Sequence, residues 1–391
     1  MLLSQKSSRG IRFVLSLSMF CAMLGIGIIA PVLPLYAKSL GASSVAIGLI
    51  IGSFSFSRIW GMLVSGELAE RMDRKKLLLS GLLVYAAASV AYTFAFSTEM
   101  LIFIRIWHGI GSAMVVPITM AIAADIAPKG EEGVIFGSLQ AALFLGVGCG
   151  PLLSGFLADT FGFYAPFFAM TALTLLALFL VLALFPASPP KSIATVESGA
   201  LQAFKGIVSD PEMLVVFIFQ FSSAMCRGVL VMVIPLFASQ FDLSLSNIGI
   251  IVSLNSVSTG ILQNISGRLA DNVHKNTLII IGGMISAVTL IGLPNLTTPL
   301  SLSVASVAFG VGHAFASPSL AAIAAARGKD FGSGRTMGLF NIAFSIGMTV
   351  GPILVGSLLD ITGNGIPFYI LSAFLAASAL PFFSVFKRAA C

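Results

Sequence analysis

The stretch Gly66-Glu67-Leu68-Ala69-Glu70-Arg71-Met72-Asp73-Arg74-Lys75-Lys76 returns in part, 201 positions later, as Gly267-Arg268-Leu269-Ala270-Asp271. Each copy follows a long apolar run, and the register that joins them holds without a gap over most of the chain. Pro34 meets Pro235, Gly48 meets Gly249, Gly81 meets Gly282, and Gly109-x-Gly111 meets Gly310-x-Gly312. Pro117 meets Pro318, and Gly146-x-x-x-Gly150-Pro151 meets Gly347-x-x-x-Gly351-Pro352. Gly155, Asp159, Gly162 and Pro166 fall on Gly356, Asp360, Gly363 and Pro367. The chain is therefore a duplication, and self-similarity at a fixed period dictates the architecture.

Working outward, each copy contains six apolar runs of membrane-crossing length, since a helix needs roughly 20 such residues to span the hydrocarbon core. The twelve spans read near 12–36, 44–67, 77–97, 99–126, 133–157, 164–186, 212–238, 246–267, 277–295, 298–326, 334–358 and 367–386. Of 391 residues 57% are apolar and 9% charged, too few charges to cover a water-facing surface of this size. The expected fold is all-α and integral to the membrane. The expected domains are an N-terminal six-helix half (1–186), a cytoplasmic linker (187–211, holding Ala187-Ser188-Pro189-Pro190-Lys191) and a C-terminal six-helix half (212–391). Six helices per copy make the repeats parallel, which places a solute site at their interface near the midplane.

Charge sets the orientation. Seventeen of the 21 Lys and Arg occupy alternate breaks, including Lys6, Arg9 and Arg12, Arg71 to Lys76, Lys129, Arg327 and Lys387, while the opposite set of breaks holds Lys38. The positive-inside rule puts both termini in the cytoplasm. The net charge of +6 is spread over these breaks and forms no nucleic-acid stripe; the lipid surface is its expected partner. The basic start leads into an apolar run reaching Tyr36, too long for a signal peptide core, so it reads as a first spanning helix. Cys21, Cys149, Cys226 and Cys391 have neither ligand spacing nor a paired framework and read as packing residues. No metal site and no cofactor are expected.

In the stretch quoted first, Gly66 lets a neighbouring helix approach. Glu70, with Arg71 and Arg74, offers an ion network that can lock one state and break in another. The alternative is a plain positive-inside anchor; the copy with Gly267 and Asp271 favours gating. The segment is similar to the signature loop of the major facilitator superfamily, Gly-x-Leu-Ala-Asp-Arg-x-Gly-Arg-Arg/Lys, with Glu70 in place of Asp and Asp73 in place of Gly. Leu101-x-x-x-Arg105-x-x-His108-Gly109-x-Gly111 resembles the family's helix 4 motif, which carries a buried arginine. Gly146-x-x-x-Gly150-Pro151-x-x-Ser154-Gly155 resembles its exporter-associated helix 5 motif, and Leu24-Gly25-x5-Pro31-Val32-x-Pro34 the helix 1 motif of the twelve-helix drug:proton antiporter branch. The resemblance implies the major facilitator fold, multidrug or metabolite efflux, gating at Gly146, Gly150, Pro151, Gly351 and Pro352, and a cavity lined by helices 1, 4, 7 and 10.

Ionisable groups at membrane depth are expensive and mark function by default. Arg58, Arg105, His108, Arg227 and His313 are such groups. Arg105, His108 and Ser112 share one helix face, as do Gln220, Ser223 and Arg227. Structural ties to backbone and hydrogen-bonded packing are the bland alternatives. Every Asp and Glu lies in a loop or near a helix end, so the carboxylate that the antiporter branch commonly carries in helix 1 or 4 is missing. The cations also break the repeat: Arg58, Arg105 and Arg227 face Thr259, Ser306 and Ile26, and His313 faces Ser112. A basic cavity for an anionic or zwitterionic amphiphile follows, with Phe20 and Met23 as apolar lining candidates.

The expected function is secondary-active export of small amphipathic molecules by alternating access. Protons are the expected coupling ion, with His108, His313 and peripheral Asp125 as the titratable candidates. An importer, an exchanger or a carrier of lipid-like anions without proton coupling are the alternatives on the same fold. A membrane receptor or an enzyme is disfavoured, because no nucleophile–base pair, phosphate loop or sensory domain is present. The expected protein is a monomer in a prokaryotic plasma membrane.

Overall fold

The computed structural model describes residues 5–126, 132–184, 209–331, 333–362 and 365–383. They form α1 (Gln5–Ser39), α2 (Ser44–Arg71), α3 (Arg74–Tyr92), α4 (Thr98–Ile126), α5 (Glu132–Phe161) and α6 (Ala165–Leu184). The second repeat gives α7 (Pro211–Ala238), α8 (Leu245–Asn272), α9 (Lys275–Gly292), α10 (Pro299–Phe331), α11 (Ser333–Thr362) and α12 (Ile366–Ala379). Twelve spans among the described residues are long and apolar enough to cross a membrane, matching the twelve read from sequence. Helices are the expected solution, because backbone polar groups in lipid must be satisfied within the segment. The linker at 187–211 lies outside the described residues up to 208.

Helix ends follow local chemistry. Asp210 caps α7, accepting from the backbone N–H groups of Glu212 (2.9 Å) and Met213 (3.0 Å), with Pro211 in the first helical turn. Asp73, a departure from the family loop pattern, caps α3 by accepting from Lys75 N–H at 2.8 Å. Gly41 and Gly162 follow α1 and α5 with φ of 80° and 94°, the left-handed conformation that glycine adopts without cost.

The chain forms two compact units. The first comprises Met1–Gly41, Ser53–Ala194 and Leu243–Ser253; the second comprises Ala42–Gly52, Thr195–Asp242 and Leu254–Cys391. The opening turns of α2 thus belong with the second repeat, and those of α8 with the first.

Within the first unit α1 packs on α5 and α6, and α3 on α4 and α6. Within the second, α7 packs on α11 and α12, and α9 on α10 and α12, the same scheme displaced by one repeat. Lipid is as apolar as a leucine side chain, so close backbone approach and interhelical hydrogen bonds hold these helices together. A Cβ on Gly150 would lie 2.5 Å from Gly27 Cα, and one on Gly351 2.7 Å from Met225 Cα. The helix 5 motif and its copy are therefore helix-contact surfaces, α5 against α1 and α11 against α7. Hydroxyls repeat too: Ser65 Oγ donates to the Ala113 carbonyl (3.0 Å), and its counterpart Ser266 donates to that of Ala314.

Candidate substrate site

In the first unit four side chains from α2, α3 and α4, those of Phe54, Tyr85, Tyr92 and Arg105, gather around His108, which is fully buried. The Tyr85 ring stands edge-on to the imidazole at 4.2 Å between centroids, and the Phe54 ring at 5.0 Å. Tyr92 Oη lies 3.2 Å from His108 Nδ1, while Nε2 has no partner. The Arg105 guanidinium sits over the Phe54 ring, 4.4 Å from its centroid, and shares a side-chain hydrogen bond with Tyr92. Arginine only donates, so the Tyr92 oxygen accepts from it, and a hydroxyl that both donates and accepts fits either neutral tautomer of His108.

Arg58, on α2, is held differently. It is half-buried, its Nε is buried without a partner among the described residues, and it lies within electrostatic range of Tyr85. The Tyr85 hydroxyl is itself committed, donating to the Ala22 carbonyl at 2.9 Å. Ser112, one turn beyond His108, is fully buried with its Oγ unpartnered.

The repeat shows that none of this is demanded by the fold. Phe54, Arg58, Tyr85, Tyr92, Arg105 and His108 correspond to Asn255, Thr259, Ser286, Leu293, Ser306 and Phe309. There Asn255 Nδ2 donates to the Ser306 carbonyl (3.1 Å), and Thr259 Oγ1 reaches the carbonyl of Asn255 (2.8 Å). The same helix crossing is thus neutral and satisfied in one unit, cationic and aromatic in the other.

The second unit has its own cations. Arg227 on α7 is half-buried and makes no hydrogen bond or ion pair among the described residues. His313 on α10 is also half-buried, with Nδ1 buried and unpartnered. Gln220 is buried two turns before Arg227 on α7. The structure thus brings Arg58, Arg105, His108 and Ser112 together in one unit, and Arg227 and His313 in the other.

Met23 is buried in the first unit's apolar core and Phe20 packs against that core, both contacting Gly146. Of the gating candidates, Arg74 Nη1 donates to the Ala121 carbonyl at 3.2 Å, tying α3 to α4. Gly66, Glu70 and Arg71 lie in the last turns of α2 and Asp271 in the last turn of α8; their side chains lie outside the described residues, as does that of Asp125. Among the described residues nothing lies within 4 Å of where a Cβ on Gly267 would be.

Two groups escaped the sequence reading. Tyr85 and Tyr92 shape the His108 site; their spacing of two turns on α3 and their replacement by Ser286 and Leu293 in the repeat were the available signals. Asp159 and Asp360 were visible as a repeated pair, and the structure gives them a role: they satisfy helix N-termini (below). Among the described residues no cluster of His, Cys, Asp or Glu is arranged to hold a metal.

Twelve apolar helices in two matched repeats, with isolated cations in the spans, define a multi-pass membrane transporter. The chain belongs to the Major Facilitator Superfamily, whose model matches residues 15–219 and 216–390. It is 30% identical over 356 residues to an uncharacterized MFS-type transporter of Methanocaldococcus jannaschii, covering 90% of this chain and 92% of that one. It is 27% identical over 364 residues to Multidrug resistance protein 2 of Bacillus subtilis (89% of each chain), and 24% identical over 375 residues to the multi-drug resistance efflux pump PmrA of Streptococcus pneumoniae (92% of each). Among solved structures, a mutant of the nucleoside transporter NupG superposes with a TM-score of 0.83 at 16% identity, covering 96% of this chain and all of the other. A bacterial homolog of the lysosomal transporter Spinster superposes with a TM-score of 0.77 at 15% identity, covering 98% and 96%. These structural likenesses establish the fold. The family and the likeness to multidrug exporters agree with the reading from the motifs, and the family is one of transporters, not enzymes.

Proposed function

We propose that the protein exports small amphipathic organic molecules by alternating access, is coupled to protons, and prefers anionic or zwitterionic cargo. Relatives named for multidrug resistance support the export reading. One observation carries the charge preference: the guanidinium groups of Arg58 and Arg227 make no hydrogen bond or ion pair among the described residues, and every acid of the chain lies in a loop or near a helix end. A cation withdrawn from water without an acceptor is costly, and cargo bearing an oxyanion relieves that cost. His108 and His313 are the titratable candidates within the spans for coupling. The Lys and Arg asymmetry supports a cell-membrane orientation with both termini cytoplasmic.

Proteoliposomes under an imposed pH gradient, offered matched cationic and anionic aromatic solutes, test this. Gradient-driven flux favouring the anion is expected. Flux indifferent to the gradient overturns proton coupling, and a preference for lipophilic cations that Arg227→Ala leaves unchanged overturns the basic site. Gating by the loop at Glu70 belongs to the same reading: Glu70→Gln should shift cysteine accessibility from the two sides of the membrane, and unchanged labelling would leave the loop as an anchor.

A further inference from the structure

We propose that Arg227 of α7 and His313 of α10 form an oxyanion-binding pair in the second unit, built to take the carboxylate of an amphipathic monoanion. The proposal rests on the anionic-cargo reading and gives it a site.

Neither ring nitrogen of His313 has a hydrogen-bond partner among the described residues, and Nδ1 is buried. A buried polar atom left without a partner is expensive. α7 packs against α10 within the second unit, Arg227 lies within electrostatic range of the ring, and it makes no hydrogen bond or ion pair among the described residues. The two groups are therefore complementary to one kind of ligand. A guanidinium presents parallel N–H donors that fit both oxygens of a carboxylate, and a neutral imidazole adds one N–H donor. A cationic ligand would meet repulsion from Arg227 and find one acceptor nitrogen. Both side chains are half-buried.

The duplication separates function from packing. The positions equivalent to Arg227 and His313 are Ile26 and Ser112, and the first unit packs with those residues in place. Ile26 packs against that unit's apolar core, and Ser112 is fully buried. A helix pair of this kind thus needs neither the guanidinium nor the imidazole for its own stability. The contrast with His108 is also informative: that ring is walled by three aromatic side chains and fully buried, whereas His313 is half-buried.

The repeat supplies its own test substitutions, R227I and H313S, each installing the counterpart residue. The purified transporter in phosphatidylcholine nanodiscs, free of anionic headgroups, would be titrated with 2-naphthoate, 2-naphthylmethanol and 2-naphthylmethylammonium. Wild type should bind the carboxylate roughly tenfold or more tightly than the alcohol, as a charge-assisted bidentate contact implies. R227I should abolish that preference, H313S should reduce it several-fold, and R227K should keep part of it. The chain holds three histidines, so nitrogen-15 histidine spectra are assignable by single replacement. 2-Naphthoate should shift the His313 ring nitrogens and leave those of His108 and His274 in place.

Naphthoate binding that survives R227I and H313S, with a static His313 resonance, overturns the pair while leaving the anionic-cargo reading intact. Preference of wild type for the ammonium probe overturns both. A His313 shift produced by phosphatidylglycerol discs alone, which naphthoate cannot alter, makes a lipid headgroup the ligand and overturns the cargo assignment. Absence of any His313 response to saturating naphthoate also overturns the pair, whatever the transport result.

Discussion

The Asp360 carboxylate, in the last turn of α11, accepts the backbone N–H of Ser44 in the first turn of α2 through Oδ1 at 2.9 Å. Its other oxygen takes the N–H of Val45, also at 2.9 Å. Ser43 Oγ accepts from Ala46 N–H (3.3 Å), and Ile47 N–H bonds the Ser43 carbonyl (3.0 Å), so the free donors of that helix start are all met. The arrangement is repeated: Asp159 accepts from Leu245 (3.0 Å) and Ser246 (2.8 Å), with Ser244 Oγ on Asn247 N–H (3.3 Å). A negative charge at a helix N-terminus also complements its dipole.

Asp159→Ala and Asp360→Ala should each destabilise the transporter by about 1 kcal/mol, in line with the loss of an N-cap acceptor. The Asn variants retain one acceptor oxygen and should lose less. Thermal unfolding in detergent measures both; Ala and Asn variants as stable as wild type would show that water replaces these carboxylates at no cost.

Gly150 and Gly267 should respond oppositely to alanine. Gly150→Ala drives a Cβ against Gly27 Cα, backbone on backbone, and should cost about 1–3 kcal/mol. Gly267→Ala meets no atom of the described residues within 4 Å and replaces a poor helix former, so stability should hold or rise by up to about 1 kcal/mol. Unfolding midpoints of the two variants, measured side by side, decide the matter. Equal losses would contradict the helix contacts described here.

Tyr92→Phe strips His108 Nδ1 of its partner inside a fully buried site and should destabilise by about 1–3 kcal/mol. Nitrogen-15 spectra should show a changed His108 signal in the variant. A His108 signal that Tyr92→Phe leaves unchanged would contradict the Tyr92–His108 hydrogen bond.

Arg105 and Phe54 should be energetically coupled. Phe54→Leu is expected to cost about 1 kcal/mol in wild type, reflecting a desolvated cation–π contact, and less in an Arg105→Ser background. The double-mutant cycle reads the coupling as a difference in unfolding free energy. A coupling near zero would reduce the stacked geometry to ordinary packing.

Membership of the fold was legible because lipid leaves the backbone few options. Apolar runs of spanning length, repeated at one spacing, translate directly into parallel six-helix repeats. The glycines and prolines that keep register between copies were equally legible as close-contact positions, and Gly150 on Gly27 is such a contact. The state of each membrane cation was not legible. Arg105 and Arg58 look alike in sequence, yet one finds Phe54 and Tyr92 while the other leaves Nε unmet. Their partners come from other helices, which periodicity along a single helix does not reveal.

By itself the sequence determined twelve spanning helices, the duplication, the family and the set of residues that break its symmetry. Each follows from local composition or from comparing one position with its copy. The tertiary structure alone decided which of those residues are satisfied. It turned Asp159 and Asp360 into caps for helix starts 86 and 316 residues away, closed His108 within a ring of aromatics, and left Arg227 and His313 without hydrogen-bond partners among the described residues. The physical reason is that desolvation and hydrogen bonding depend on what surrounds a group in space, and in a helical bundle those surroundings are drawn from distant segments of the chain.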